Sequence, residues 1–351
     1  MKKAAIITAI VLASSIVFCM IFAGYLILSE YQPKNRETIA VSETGLPIHP
    51  DKELSVLTYN IGYAGLSKDE DFFMDGGKNV RPDDETLILA NLEGISHILD
   101  KNAADIILLQ EVDLASRRSY GINQQAYLTE QTGKNSLFAY NFNCKYVPYP
   151  LPPIGKVESG LLTLSGRKLQ SAARIALPVP FPWPVSTCNL KRCLLETRFP
   201  IEGSSKELIV FNLHLEAYDD GEGKVEQTNV LMQLLHTEYE KGNYVIAGGD
   251  FNQTFDSIER YPIINKDSWM PGKLEEASLP DGFSFAVSDQ YATCRLLNAP
   301  YSGNYMDSQV YVIDGYIVSD NIDVKSVQVI DTQFEYSDHQ PVKLSFCFKN
   351  D

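Results

Sequence analysis

Four short runs of β-branched and aliphatic residues in this chain each end on a residue that can bind a metal or carry a proton. Asn60 follows Leu57-Thr58-Tyr59, Glu111 follows Ile106-Ile107-Leu108-Leu109-Gln110, and His214 follows Ile209-Val210-Phe211-Asn212-Leu213. Asp250, with Asn252 just beyond it, follows Tyr244-Val245-Ile246-Ala247-Gly248-Gly249, and Ser337-Asp338-His339 closes the series near the C-terminus. Runs of this length and composition read as strands. In open α/β sheets the ends of neighbouring strands converge, so side chains far apart in sequence line one cleft. A carboxylate pair, an amide and two imidazoles collected there suit a hard divalent cation and phosphate-ester hydrolysis.

Further strand-like stretches complete the pattern at 54–60, 105–111, 160–164, 194–199, 208–215, 244–249, 310–318, 324–330 and 342–348. Helical periodicity falls between some of them. Residues 86–99 bring Leu87, Ala90, Ile95 and Ile98 near one stripe, and 224–239 bring Val230, Leu231, Leu234 and Leu235 together. Strands interspersed with helices predict an α/β fold of two packed sheets flanked by helices. Residues 63–81, 140–153 and 177–184 read as surface loops, the last two because their prolines exclude a helix interior or a central strand.

The blocks Thr58-Tyr59-Asn60-Ile61, Gln110-Glu111-Val112-Asp113, Asn212-Leu213-His214-Leu215, Gly249-Asp250-Phe251-Asn252, Ile313-Asp314-Gly315-Tyr316 and Ser337-Asp338-His339 occur in that order from about residue 54 to 348. Together they resemble the motifs of the endonuclease/exonuclease/phosphatase superfamily, which includes deoxyribonuclease I-like nucleases, neutral sphingomyelinases and inositol polyphosphate 5-phosphatases. The resemblance implies a four-layer sandwich of two mixed β-sheets flanked by helices. It also implies Mg²⁺ or Mn²⁺ as cofactor, with Glu111 as the leading metal ligand, Asp338 as a further one, and Asn60 binding the metal or orienting a phosphate oxygen. Asp250 then orients or deprotonates the attacking water and Asn252 holds a phosphate oxygen. Asp314 and His339 form a dyad in which the carboxylate fixes the imidazole tautomer. The water-activating role is divided between this dyad and Asp250. His214 donates to the phosphoryl oxygen as charge develops. Arg118, in Arg117-Arg118-Ser119-Tyr120, is the candidate for an additional substrate phosphate contact, because a planar guanidinium suits phosphate oxygens. His49, His97 and His236 match no motif.

Residues 4–28 carry no charge and are mostly Ile, Val, Leu, Ala and Phe, long enough to cross ~30 Å of hydrocarbon as a helix. Lys2 and Lys3 precede the run, so the positive-inside tendency puts the N-terminus in the cytoplasm and everything after Glu30 outside. A cleaved signal peptide is the competing reading; the run's length and the poor cleavage match at Ala23-Gly24 favour an uncleaved single-pass anchor in the cell membrane. Residues 1–29 are thus expected to anchor, 30–53 to tether and 54–351 to form the catalytic domain.

Without the anchor and its two lysines, 28 basic face 45 acidic side chains, a net charge of −17. That balance disfavours general nucleic-acid binding, which draws on lysine and arginine against phosphate, without excluding a local basic groove. Five cysteines, Cys144, Cys188, Cys193, Cys294 and Cys347, lie beyond the anchor, and either disulfides, with Cys188 and Cys193 the nearest pair, or buried thiols fit them. The expectation is a monomeric, membrane-anchored metal-dependent phosphoesterase acting on a phosphate ester, with a phospholipid or sphingomyelin-type substrate fitting the anchor. An extracellular nuclease is the alternative, and a catalytically inactive binding protein on the same fold is the alternative of another class.

Overall fold

The computed structural model describes residues 2–349 apart from 43, 220, 257 and 259, so Met1 of the expected anchor and residues 350–351 of the expected domain lie outside the described residues. Two mixed sheets carry the fold. One has seven strands in the order β1 (Arg36–Ile39), β6 (Ser171–Ala176), β7 (Cys193–Pro200), β8 (Glu207–His214), β9 (Tyr244–Asp250), β15 (Asp314–Ser319) and β12 (Phe283–Ala286). The other has six, in the order β16 (Ile322–Val329), β17 (Val342–Phe348), β2 (Leu54–Asn60), β3 (Ile106–Asp113), β5 (Gly155–Ser165) and β4 (Asn135–Val147). Two short pairs, β10 (Gln253–Phe255) with β11 (Gly272–Leu274) and β13 (Cys294–Arg295) with β14 (Val310–Tyr311), stand apart from the sheets. The α-helices among the described residues are α1 (Lys2–Leu28), α2 (Glu85–Lys101), α3 (Gln124–Thr132) and α4 (Glu222–Glu240).

Side-chain alternation along the strands builds the layers. Val56, Ile106, Leu108, Val210 and Ile246 point between the sheets into a shared core with Tyr316, Leu344 and Phe346. Their immediate neighbours point the other way. Leu57, Ile107 and Leu109 meet Ile88, Leu92, Ile95 and Leu99 of α2 and Leu128 of α3, while Ile209, Phe211, Val245 and Ala247 meet Leu231 and Leu235 of α4. Strands buried on both faces explain why these runs are continuously apolar rather than alternating. The result is the expected four-layer α/β sandwich. Each of its two parallel pairs, β2–β3 and β8–β9, is bridged by a helix, α2 and α4 respectively. Parallel strands need such a crossover, and it delivers both strand ends to the same edge. Asn60, His214 and Asp250 therefore end their strands on one rim, with Glu111 close to the end of β3.

Buried polar side chains join the sheets beneath that rim. Gln110 Nε2 donates to Asn212 Oδ1 at 2.7 Å and to Thr58 Oγ1 at 3.1 Å, and Asn212 Nδ2 donates to the Leu109 and Leu162 carbonyls, both at 3.2 Å. The Tyr316 hydroxyl donates to the Val56 and Val342 carbonyls at 3.0 and 2.7 Å. Room for that ring depends on Gly248, where a Cβ would lie 2.5 Å from a Tyr316 ring carbon.

Several expectations are corrected. Within the tether, Arg36–Ile39 pairs with β6 and belongs to the sheet. Residues 140–147 continue β4 instead of forming a loop, because the prolines begin only at Pro148. The buried stripe of α2 runs through Ile88, Leu92, Ile95 and Leu99, with Ala90 exposed, one position off the predicted face. Residues 310–318 divide into β14 and β15. The six cysteines are free thiols, Cys188 and Cys193 included. Helix α1 buries no residue, and it is long and apolar enough to cross a membrane.

Replacing Tyr316 by Phe is expected to lower stability by about 1–3 kcal/mol, because the buried hydrogen bond its hydroxyl makes across the sheets is lost. Chemical denaturation of the full-length protein in detergent measures this, and an unchanged midpoint contradicts the inter-sheet role of the hydroxyl.

Candidate active site

Asp250 ends β9, and its register neighbours are His214 on β8 and Asp314 on β15. Directly opposed residues of adjacent strands bring their Cβ atoms to roughly 5 Å, so pairing alone puts three ionisable side chains side by side. His214 Nε2 lies 3.4 Å from Asp250 Oδ2. His339 Nδ1 meets Asp314 Oδ2 at 2.8 Å and turns Nε2 to within 3.6 Å of Asp250 Oδ2. From the other sheet, Asn60 Nδ2 donates to Asp250 Oδ2 at 3.0 Å and to Glu111 Oε1 at 3.3 Å. The Ser337-Asp338-His339 loop is tied down by the Ser337 hydroxyl, which donates to the Asn60 carbonyl at 2.8 Å. A side chain at Gly62 would place its Cβ 2.7 Å from Asp338 Oδ1, so that position holds glycine in close approach to the acid.

Two residues reach the site through left-handed backbone. Glu111 has φ +55° at a register shift between β3 and β5, a β-bulge that breaks the alternation and aims its side chain. Asn252 has φ +49°, so it does not share an extended segment with Asp250 as its two-residue spacing suggested. Asn is among the residues that tolerate this conformation. Its backbone N–H donates to Asp250 Oδ1 at 2.9 Å, and its side chain donates to the Leu215 carbonyl at 2.8 Å. One of its two amide hydrogens remains for another acceptor.

Burial and neighbouring charge set the protonation states. Burial works against the Asp250 carboxylate, but His214, His339, the Asn252 N–H and Asn60 outweigh it and hold its pKa below the ordinary value. For His339, burial opposes the imidazolium, yet Asp314 first, then Cys294 and Asp250, carry its pKa well above the ordinary value. Burial pushes Asp314 up to about 6 against the pull of His339; the direction that stands for the pair is a shared proton held on the imidazole at neutral pH, since two buried like charges cannot both ionise beside a neutral ring. Burial and the nearby Arg192 push His214 down to about 4, leaving it neutral.

Glu111, His214, Asp250, Asn252, Asp338 and His339 line one cavity of about 530 Å³. Asn60 lies beneath them, and Asp314 stands behind His339. Burial, with Glu111 adding its charge, lifts Asp338 to about 7. Two carboxyl groups lining one pocket are suited to a hard cation, which prefers carboxylate oxygens and retains waters. Asp250, Asp314 and His339 also present ligand atoms within 4.8 Å of one another, close enough for an ion. That triad is less suitable, because an ion there would compete for the His339–Asp314 hydrogen bond. The Asn60 amide oxygen accepts from the Gly62 N–H at 3.0 Å and its nitrogen faces the carboxylates, an arrangement that braces the acids.

Arg118 also lines the cavity. It forms a two-pronged pair with Asp113, Nε to Oδ2 at 3.1 Å and Nη2 to Oδ1 at 3.0 Å, donates to Ser159 Oγ at 3.2 Å, and stacks 3.8 Å over the Tyr63 ring. Three of its five donors are spent in this way. His49, His97 and His236 are exposed and do not line the cavity. Phe72, Phe73, Phe142, Tyr149 and Phe181, from the three segments read as aromatic surface loops, line the cavity together with Trp269, which sequence reading did not single out. Sequence reading also missed Arg192, which pairs with buried Glu216 at 3.0 Å and donates to the His214 carbonyl at 3.1 Å.

Comparison with known proteins agrees with this fold. The profile of the Endonuclease/Exonuclease/phosphatase family matches residues 57–339, and the chain belongs to that family of phosphoester-cleaving folds. No curated protein matches the chain. Among solved structures it resembles an endonuclease/exonuclease/phosphatase from Beutenbergia cavernae, at 18% identity and TM-score 0.56, over 85% of this chain and 72% of that one. It also resembles truncated TDP2 from Caenorhabditis elegans, at 16% identity and TM-score 0.51, over 84% and 98% of the respective chains. A third resemblance is to D. rerio TDP2 complexed with single strand DNA product, at 16% identity and TM-score 0.50, over 84% and 99%. Members of the family are generally metal-dependent hydrolases of phosphate esters.

In the metal-free protein, NMR titration of the imidazoles is expected to find His339 still protonated above pH 6.5 and His214 neutral down to about pH 4. Because Asp314 is the leading group that raises His339, Asp314→Asn should move the His339 titration to lower pH. A His339 that titrates at or below 6.5 in the wild type contradicts the dyad.

Proposed function

We propose that this protein is a divalent-metal-dependent phosphoesterase, anchored in the cell membrane by α1, whose catalytic domain lies outside the cytoplasm and works as a monomer. It hydrolyses a phosphate ester with an apolar body, of the phospholipid or sphingomyelin type. One observation carries this reading: a single cavity is lined both by the acids and imidazoles and by a set of aromatic side chains. Substrate pockets combine such apolar linings with a few convergent polar groups.

In this reading Glu111 and Asp338 would hold Mg²⁺ or Mn²⁺, with Asn60 bracing the acids or contributing its oxygen. When bound, the ion neutralises charge on the phosphate oxygens and the leaving group. Asp250, kept ionised by its neighbours, accepts the proton of a water that attacks phosphorus in line. His339, kept protonated by Asp314, stabilises the negative charge that develops on the phosphoryl oxygens, and neutral His214 donates one N–H to them. The spare amide hydrogen of Asn252 and the remaining donors of Arg118 hold the phosphate group. No residue needs to form a covalent bond to substrate.

A nuclease is the second reading, supported by the resemblance to D. rerio TDP2, which was solved with single strand DNA product. The net charge of −17 beyond the anchor and the aromatic cavity wall count against it. An inactive binding protein is disfavoured because every position of the six motifs that carries chemistry holds a competent side chain.

Full-length protein in detergent is expected to hydrolyse a soluble aryl phosphodiester only with Mg²⁺ or Mn²⁺ present, and to lose that activity on chelation. Asp250→Ala should lower kcat/KM by about 10²–10⁴, the usual range for a positioned proton-transfer group, and His339→Ala by about 10²–10³, the range for losing one charge-stabilising donor. Glu111→Ala should raise the metal concentration required for half-maximal rate. Hydrolysis that persists in all three variants refutes the mechanism, and a preference for single-stranded DNA over sphingomyelin and phosphatidylcholine selects the nuclease.

A further inference from the structure

We propose that the catalytic domain makes a second membrane contact: an uncharged, proline-rich collar at the cavity mouth rests in the leaflet that α1 enters and admits substrate from it. The lateral entry rests on the lipid reading above; the contact itself does not.

Helix α1 is seated on the domain. The Phe22 ring meets Tyr146 edge-on at 6.1 Å, Tyr31 meets Tyr140 at 6.0 Å, and Lys191 Nζ donates to Glu30 Oε1 at 2.7 Å. The short helix Val185–Cys188 also packs against α1. Phe22 precedes the end of α1 at Leu28 by six residues, about 9 Å along the axis at 1.5 Å per residue. Tyr146 is therefore level with the final turns of the spanning helix. That is the interfacial zone in which tyrosine and tryptophan collect.

Two segments flank this point, and both are unusual for a water-facing surface. Residues 147–154 and 177–190 contain no charged residue, in a chain that is 21% charged. Their tips are apolar and bare: Leu151 is 89% exposed, Tyr149 70%, Trp183 67% and Val185 49%. Each segment carries four prolines, at 148, 150, 152 and 153 and at 178, 180, 182 and 184. Proline has no N–H, so a loop built this way brings few unsatisfied donors into a poorly hydrated layer. A patch of this size and composition marks an interaction surface.

The same segments form the cavity rim. Val147, Pro148 and Tyr149 of the first segment and Phe181, Val185 and Cys188 of the second line it. The cavity thus opens beside α1, with its polar end at Glu111 and Asp250. A lipid moving into it from the leaflet keeps its chains against aromatic side chains while its phosphate reaches the acids. The bilayer is the favoured occupant because the collar is continuous with the helix already in it.

The test uses full-length protein reconstituted in phosphatidylcholine vesicles containing sphingomyelin. Trp183 fluorescence, read as the difference between wild type and Trp183→Phe, is expected to be blue-shifted and quenched by phosphatidylcholine brominated near the headgroup end of its chains. Solvent-like emission that no brominated lipid quenches overturns the proposal, and is also the result expected if a soluble partner protein covers the collar. In a second measurement, Leu151→Asp combined with Trp183→Asp should lower hydrolysis of vesicle lipid by about tenfold or more while leaving hydrolysis of soluble bis(4-nitrophenyl) phosphate unchanged. Equal rates on vesicle lipid overturn the lateral entry. If the wild type cleaves no phosphate ester, the proposed function fails while the quenching measurement still decides the membrane contact.

Discussion

Burying the Asp250 carboxylate costs free energy unless its charge is matched, and every group that matches it comes from a different part of the fold. His214 arrives on β8, His339 on the loop before β17, Asn60 on β2, and the Asn252 N–H from the turn that follows β9. Asp314, directly across β15, adds a second buried acid, and His339 lies between the two. An unpaired ion in such a place is strongly unfavourable, so the site is stable only as a set. The sandwich depends on this set as much as the set depends on the sandwich: Asn60 reaches Asp250 only because Gln110, Asn212 and Tyr316 hold the two sheets in register just below.

A second constraint comes from the apolar part of the cavity lining. Aromatic side chains from 72–73, 142–149, 181 and 269 enclose space far larger than a phosphate group needs, and part of that lining continues into the uncharged segments beside α1. The acidic balance of the residues beyond α1, unfavourable for a polyanionic partner, is compatible with a neutral or zwitterionic one. In the proposed reading, anchor, collar and cavity would form one path from a bilayer to the ionised groups, giving the N-terminal helix a role in substrate delivery as well as in attachment.

Much of this was legible in the sequence because the physics there is local. Runs buried on both faces are continuously apolar, so β2, β3, β8 and β9 stood out, and the residues ending them are those the sheets bring together. The resemblance to one superfamily supplied the four-layer arrangement and the pairing of Asp314 with His339. What escaped notice depends on long-range contact. Arg36–Ile39 is a strand only because β6 offers it an edge. Helix α3 is nine residues with two buried positions, too short for its periodicity to register. In α2 the apolar residues are dense enough to fit two stripes, and packing on β2 and β3 selects the one through Ile88 and Leu92. Nor does the bulge that turns Glu111 inward carry a local signal, since neither glycine nor proline marks it. Arg118 reads as a free phosphate ligand until Asp113, five residues earlier, is seen to hold it on two prongs.

The central claim is that one cation belongs between Glu111 and Asp338, in front of the Asp250 cluster. Anomalous diffraction from crystals soaked in Mn²⁺ tests it most directly. The account predicts a single ion bound to carboxylate oxygens of Glu111 and Asp338 at roughly 2.0–2.4 Å, with the His339–Asp314 hydrogen bond intact. An ion seated instead among Asp250, Asp314 and His339, with Glu111 free of it, would contradict the assignment of roles from which the mechanism follows.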